Sequence, residues 1–369
     1  MKKKISIHDI AKQLNVSAAT VSFVLNGKAA EKRISNSLEK KILNYVKQSE
    51  YRPNRIAKSL RTGKSKIIAM LVESISDPFF STIARIVEES AYRLDYKIFY
   101  ASTENDTKIT KELIRVFRDA QVDGYIIAPP PGIEDDIRSL MEDNLPVIFF
   151  DRYFPGLETY NVVVDNFGGT YEAMRHFLEN GYTNIGFVTL VSAQTQMDDR
   201  LNGYVQALTE NSLTHYIQKI AFEEKQDQEK MVANIRVFLE ANPQLEAVLF
   251  ATNYLAISGL EAIRILKLAI PGDIAVIGFD DNTHFALFSP AITAVAQPVR
   301  EMSEHVINQL MASLVSREKM QEKKTIVLPT KLMIRESSLP AADIESTGDV
   351  SLVRLTNGHN TKNKKLLKK

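Results

Sequence analysis

Between residues 67 and 334, short apolar runs alternate with amphipathic stretches of helical period. No other feature restricts the fold of this chain so strongly. Strands are predicted at 67–72, 97–101, 124–128, 147–150 and 162–164, with helices at 79–94, 107–120 and about 134–142 between them. The pattern then restarts. Helices at 168–179, 200–208, 228–240, 255–266 and about 300–314 alternate with strands at 185–190, 216–222, 247–250, 274–279 and 325–328, and a short run follows at 331–334. Strands spaced by helices make βαβ units and parallel sheet. The series is too long for one doubly wound domain, so it predicts two α/β subdomains with the chain crossing between them more than once. The first takes about 67–165 and 298–325, the second about 166–297 and 326–340. A ligand would sit in the cleft at the carboxyl ends of the strands.

The first 50 residues read differently. Ser6 can cap a helix, and Asp9 three residues on completes a capping-box pattern. Ile10, Ala11 and Leu14 share one face. Asn15 and Val16 make a turn, Ser17 caps a second helix with Val21 and Val24 inward, and Asn26-Gly27 stops it. Two short helices across so brief a turn can lay the second into the major groove of DNA. An ordinary helical hairpin is the plainer reading. A charged loop, Lys28-Ala29-Ala30-Glu31-Lys32-Arg33, and a third helix at about 36–48 complete a three-helix head at 1–50. Residues 51–66 are basic, with Pro53 and Gly63, and read either as a linker or as a short hinge helix that orders on binding.

Charge separates these regions. Residues 1–66 hold 16 Lys+Arg against 4 Asp+Glu, a net +12. Residues 67–340 hold 24 against 38, a net −14. A basic head on an acidic body predicts that the head meets a polyanion. With no cysteine in the chain, disulfides, thiol catalysis and thiolate metal sites are excluded. The six histidines lack metal-ligand spacing, and no cofactor motif occurs. Thr62-Gly63-Lys64-Ser65 resembles the end of a P-loop, but Lys58 stands where its first glycine should be. No apolar run reaches the length of a membrane span and no secretory signal opens the chain, so a cytoplasmic protein is expected. The polar, lysine-ended stretch 341–369 is expected to be disordered.

Polar residues stand just past several predicted strands. They are Asp77 with Phe79 and Phe80, Asp151 and Arg152, Asn253, and Asp280 and Asp281. The plainer reading of Asn253 and Asp281 is that they cap helices or stand in loops. Together they suit a polar ligand, because carboxylates, an amide and a guanidinium bond hydroxyls in pairs and an aromatic face packs on sugar C–H groups.

The combined pattern resembles the LacI/GalR family of bacterial transcription regulators. The resemblance lies in Asp9-Ile10-Ala11, Val16-Ser17, Thr20-Val21-Ser22 and Asn26, in Tyr51-x-Pro53-Asn54-x-x-Ala57-x-x-Leu60, in Arg200-Leu201-x-Gly203 and in Ile277-Gly278-Phe279-Asp280-Asp281. It implies a helix-turn-helix head, a hinge helix and a core like periplasmic sugar-binding proteins. It implies a homodimer on a near-palindromic operator, with a small effector, often a sugar or sugar-derived metabolite, that resets the angle between the subdomains and the spacing of the heads. By position it implies base contacts from Ala18, Ala19 and Phe23 and backbone contacts from Ser17, Thr20, Ser22 and Asn26. The hinge would contribute Asn54, Arg55, Ala57 and a minor-groove wedge, Leu60. Effector contacts would come from Asp151, Arg200, Asn253 and Asp280, to which the position after the first strand adds Asp77 and Phe79.

The chain departs from that pattern where bases are read. Phe23 stands where an arginine is common and cannot make the bidentate contact with guanine. Thymine-rich contacts are therefore expected at Ala18 and Phe23. The loop after Gly27 is a few residues longer than usual, and Tyr254 replaces a common aspartate. A regulator, most simply a repressor, is the expectation; a solute-binding receptor with the same core and no regulatory role is the alternative.

Overall fold

The computed structural model describes residues 5–49, 51, 63–221, 227–315 and 324–340. Asn54, Arg55, Ala57 and Leu60 of the expected hinge, and the expected tail from 341 onward, lie outside them. The chain divides into two compact units, residues 1–66 and 67–369.

In the first unit, α1 (Ile7–Leu14), α2 (Ala18–Leu25) and α3 (Asn36–Gln48) form the expected head. The Ser6 hydroxyl accepts from the Asp9 amide at 3.2 Å while the Asp9 carboxylate accepts from the Ser6 amide at 2.9 Å. This reciprocal pair satisfies two amides that the first helical turn leaves open. Asn15 takes the left-handed conformation (φ 54) and ends α1. Ser17 caps α2 by accepting from the Thr20 amide at 3.0 Å. Ile10, Ala11, Val21, Val24 and Ile42 form the small core, and Ala29 from the following loop joins them.

The second unit holds two six-stranded sheets. The first contains β1 (Ile67–Val72), β2 (Lys97–Ser102), β3 (Gly124–Ile127), β4 (Val147–Phe150), β5 (Tyr160–Val164) and β11 (Thr325–Leu328), in the order β11-β5-β4-β3-β1-β2. All its pairings are parallel. Met70 of β1, for example, lies between Tyr100 and Ile126. The second sheet contains β6 (Ile185–Leu190), β7 (Tyr216–Ile220), β8 (Ala247–Phe250), β9 (Ala275–Phe279), β10 (Thr293–Ala296) and β12 (Lys331–Met333), in the order β12-β10-β9-β8-β6-β7. Only β12 runs antiparallel. Helices α4 (Pro78–Arg93), α5 (Thr107–Asp119) and α6 (Glu134–Glu142) belong to the first sheet's crossovers. Helices α7 (Asn166–Glu179), α8 (Thr195–Glu210), α9 (Gln228–Ala241) and α10 (Asn253–Leu266) belong to the second's. Helix α11 (Val299–Val315) returns to the first sheet, where Met302, Val306, Ile307 and Leu310 join its core.

Three features differ from the sequence reading. Helix α8 begins at Thr195, five residues before the expected start at Arg200. Strand β10 was not expected; it is a four-residue run between Pro290 and Pro298, too short to show a period. The last crossing also falls later than the expected 325/326 boundary, because the whole of β11 pairs with β5 and the chain leaves the first sheet only after Leu328. No described helix is long and apolar enough to cross a membrane.

Candidate functional site

The carboxyl ends of both sheets face one cleft, and each contributes an aspartate at the same place. Asp151 follows β4 and Asp280 follows β9, both with left-handed backbone (φ 68 and 67). Each is fixed by its own amide, which donates to the neighbouring strand, Val162 O for Asp151 and Val295 O for Asp280. They are two of twelve non-glycine residues with positive φ among the described residues, and aspartate is one of the types that takes this conformation most readily.

Arg152 organises the first corner. Its Nη2 donates to Glu73 Oε2 at 2.7 Å, its Nε lies 3.0 Å from Asp151 Oδ2, and its Nη1 donates to Asn105 Oδ1 at 3.4 Å. Arg200 organises the second. It projects from α8, which presses closely on α7 because residue 203 is glycine: a Cβ there would lie 2.5 Å from the Phe167 carbonyl. The Arg200 side chain is 2% exposed. Its Nε donates to Asn166 Oδ1 at 2.9 Å and its Nη1 to the Ala251 carbonyl at 2.6 Å. Its guanidinium carbon lies 3.6 Å from the centre of the Phe279 ring, and Nη1 is 3.7 Å from Asp280 Oδ2. Asp280 also accepts from Gln297.

Asp77, Phe79, Phe80, Leu190, Gln194, Gln196, Met197, Thr252 and Tyr254 complete the lining. Phe79 and Phe80 meet edge to face at 5.1 Å. Four carboxylates, Glu73, Asp77, Asp151 and Asp280, stand against two guanidinium groups. Burial pushes the Asp280 carboxyl up to about 6, although Arg200 and the Gln297 donor pull it down. Burial also holds Asp151 above the usual carboxylate range, with Arg152 and Arg200 offsetting only part of the effect. For Arg152, burial disfavours the charge, but Glu73 and Asp151 more than offset it, so its pKa is raised. Burial and the Glu73 charge lift the Tyr254 phenol well above its usual value.

Of the expected effector residues, Asp77, Phe79, Asp151, Arg200 and Asp280 line the cleft. Asn253 is not among the lining residues. Thr252 caps α10, and the Asn253 amide group donates to Asp77 Oδ1 at 3.3 Å, joining the second subdomain to the first. Gln194 makes a second such bridge, donating to Asn105 Oδ1 at 2.9 Å. Asp281 makes a bidentate pair with Arg335, both bonds 2.9 Å. Glu73, Gln194, Gln196, Met197 and Thr252 were not singled out from sequence. Glu73 was findable, since it follows β1 as Asp151 follows β4. Among the described residues no cluster of three potential metal ligands occurs.

In the head, the outward side of α2 carries Ala19, which is exposed, and Phe23, which is half-buried and stands apart from the head's core. Ala18 packs partly on that core. Ser17 and Thr20 share a hydroxyl contact at 2.8 Å, and Asn26 Nδ2 donates to the Ser22 carbonyl at 2.6 Å. Those four polar side chains thus hold the ends of the helix they would use on DNA.

The family described as bacterial regulatory proteins, lacI family, matches residues 6–54, and the periplasmic binding protein-like domain matches residues 174–338. The HTH-type transcriptional regulator DegA of Bacillus subtilis is 31% identical over 350 residues, covering 91% of this chain and 99% of DegA. A lac repressor dimer bound to operator and the anti-inducer ONPF shares the fold with a TM-score of 0.78 at 21% identity, over 92% of this chain and all of that one. A LacI family regulator from Enterococcus faecium with bound ribose gives a TM-score of 0.65 at 25% identity, over 74% of this chain and 99% of that one. With a matching head, a matching core and a relative aligned along nearly its whole length, the chain belongs to the lacI family of bacterial regulatory proteins and is a DNA-binding regulator of transcription with an effector-binding core, not an enzyme.

Proposed function

We propose that the protein acts as a homodimer on a near-palindromic operator, and that an uncharged sugar or sugar-derived polyol in the cleft controls its grip on DNA. The observation that carries this reading is the pairing of Asp151 and Asp280 at matching strand ends, with Arg200 and Phe79 in the same cleft. Paired carboxylates and a guanidinium suit hydroxyls, and an aromatic face suits sugar C–H groups. The cleft holds two more acids than bases, and both guanidinium groups already face carboxylates. Its charge therefore opposes a phosphate or carboxylate on the ligand. The ribose bound by the Enterococcus faecium relative is an uncharged sugar of the proposed class. Operator contacts follow from Ser17, Ala18, Ala19, Thr20, Ser22, Phe23 and Asn26 on or beside α2, and from Asn54, Arg55, Ala57 and Leu60.

Two measurements test this. Thermal shift against matched neutral, amino and phosphorylated sugars should single out an uncharged member; saturation at 100 times Kd adds about 2.7 kcal/mol of stability. Tight binding of a sugar phosphate instead would overturn the effector class. Duplexes selected from a random pool should bind with a log–log salt slope of about −0.9 per phosphate neutralised. Absence of duplex binding in low salt, with and without the sugars, would favour the solute-receptor alternative.

A further inference from the structure

We propose that Lys32, carried on the loop after α2 and held over Phe23, reads sequence by donating to the acceptor pair of a guanine next to the base that Phe23 meets. The inference rests on the head binding DNA through α2. Ala19 and Phe23 are four residues apart and form one row on the outer side of that helix. The helix ends at Leu25, so the row has no further helical member. The loop supplies one. The Lys28 amide donates to the Phe23 carbonyl at 2.9 Å, and the Ile34 amide to the Ala29 carbonyl at 2.9 Å. Between them the Lys32 amide donates to the Lys28 carbonyl at 3.0 Å, and Arg33 turns the chain with φ 54. Ala29, only 3% exposed, anchors the loop in the head's core. This folded loop brings Lys32 Nζ to 5.5 Å from the centre of the Phe23 ring.

Phe23 is a large apolar side chain set apart from the head's core, and the cation rests on its face. A surface that meets Phe23 from outside therefore meets the ammonium too. Phe23 cannot donate to a base, so the position an arginine commonly fills is divided between two residues: an apolar contact from the ring and a donor from the loop. Lysine suits the O6 and N7 acceptors of guanine, and the Phe23 ring suits a thymine methyl. Glu31 lies 3.0 Å from the Lys32 ammonium and competes with that guanine for it.

Selection from randomised duplexes with the full chain, alongside Lys32→Ala, Lys32→Arg and Glu31→Ala, tests the proposal. The wild type should return a guanine beside a thymine in each half-site. Lys32→Ala should lose roughly 10-fold of discrimination at that guanine alone, Lys32→Arg should keep it, and Glu31→Ala should keep or sharpen it. If Lys32→Ala instead weakens all sequences equally and lowers the salt slope by about 0.9, Lys32 contacts a phosphate and the proposal is overturned. Unchanged binding overturns it as well. Failure of the wild type to select any site in low salt would defeat the DNA-reading role of α2 itself, a separate result.

Discussion

Asp280→Asn should make the protein more stable at neutral pH, although it removes a member of an ion pair. Burial raises the folded-state pKa of Asp280 from 3.8 to about 6. An acid whose pKa rises on folding costs nothing below its unfolded value, where both states are protonated. The cost grows as pH climbs from about 3.8 to about 6 and is fully present above that. At roughly 1.4 kcal/mol per pKa unit, the gap corresponds to about 3 kcal/mol at pH 7.5. The side chain is only 12% exposed, so solvent screening removes little of this. Asparagine is nearly isosteric, tolerates the left-handed backbone that residue 280 requires, and can still accept from Gln297. Arg200 loses a partner at 3.7 Å but keeps Asn166 and the Ala251 carbonyl. Thermal unfolding of the two proteins from pH 5 to 8 is the assay. At about 2 °C per kcal/mol for a core of this size, the variant should melt roughly 6 °C higher at pH 7.5, with the difference shrinking toward pH 5. An equal or lower midpoint at pH 7.5, or a difference that does not change with pH, would refute the reasoning. The same variant should bind the effector more weakly, since a carboxylate accepts from a ligand hydroxyl more strongly than an amide.

Gly259→Ala should destabilise the core by about 1–3 kcal/mol in urea unfolding, even though alanine favours helix by about 1 kcal/mol, because its Cβ would stand 2.0 Å from the tip of the fully buried Phe250 ring. Ser17→Ala should cost the head about 1 kcal/mol through loss of the α2 cap, measured by amide exchange. Ser17→Asp should keep the cap and the exchange protection yet lose DNA affinity, since it sets a carboxylate against phosphate. Equal DNA binding by Ser17→Asp and wild type would remove Ser17 from the interface.

What was legible in the sequence was local. Ser6 with Asp9, Ser17 with Thr20 and the Asn26 stop all concern contacts within four residues, and all lie where the pattern puts them. The α/β alternation was readable because several strands are unbroken apolar runs buried on both faces, as in β4 and β8. What was missed depends on distant partners. β11 looks like any short edge strand, and only pairing with β5, more than 150 residues earlier, assigns its sheet. Asp151 and Asp280 could be chosen because they follow strands directly. Gln194, Gln196 and Met197 belong to the start of α8 and its lead-in, and they reach the site only because two subdomains face each other there. Asn253 and Asp281 satisfied the same positional rule as Asp280, yet Asn253 bridges to Asp77 and Asp281 pairs with Arg335. Position past a strand therefore selects candidates, while the neighbouring side chains decide between ligand contact and scaffold.

The bridges also bound how effector binding can work. Glu73, Asp77, Asp151 and Arg152 come from the first subdomain; Gln194, Arg200, Tyr254 and Asp280 come from the second. Gln194–Asn105 and Asn253–Asp77 join the two across the cleft. Each is a neutral or singly charged hydrogen bond, worth about 1 kcal/mol. A ligand alters an equilibrium between two arrangements of the subdomains only by its difference in affinity for them. Two further hydrogen bonds from one hydroxylated ligand to Asp151 and Asp280 together would add another ~2–3 kcal/mol. That is a ~30- to 150-fold shift, within the range of ordinary allosteric coupling. A ligand with equal affinity for both arrangements would bind and yet change nothing, and contact with both aspartates at once is one way to gain the difference.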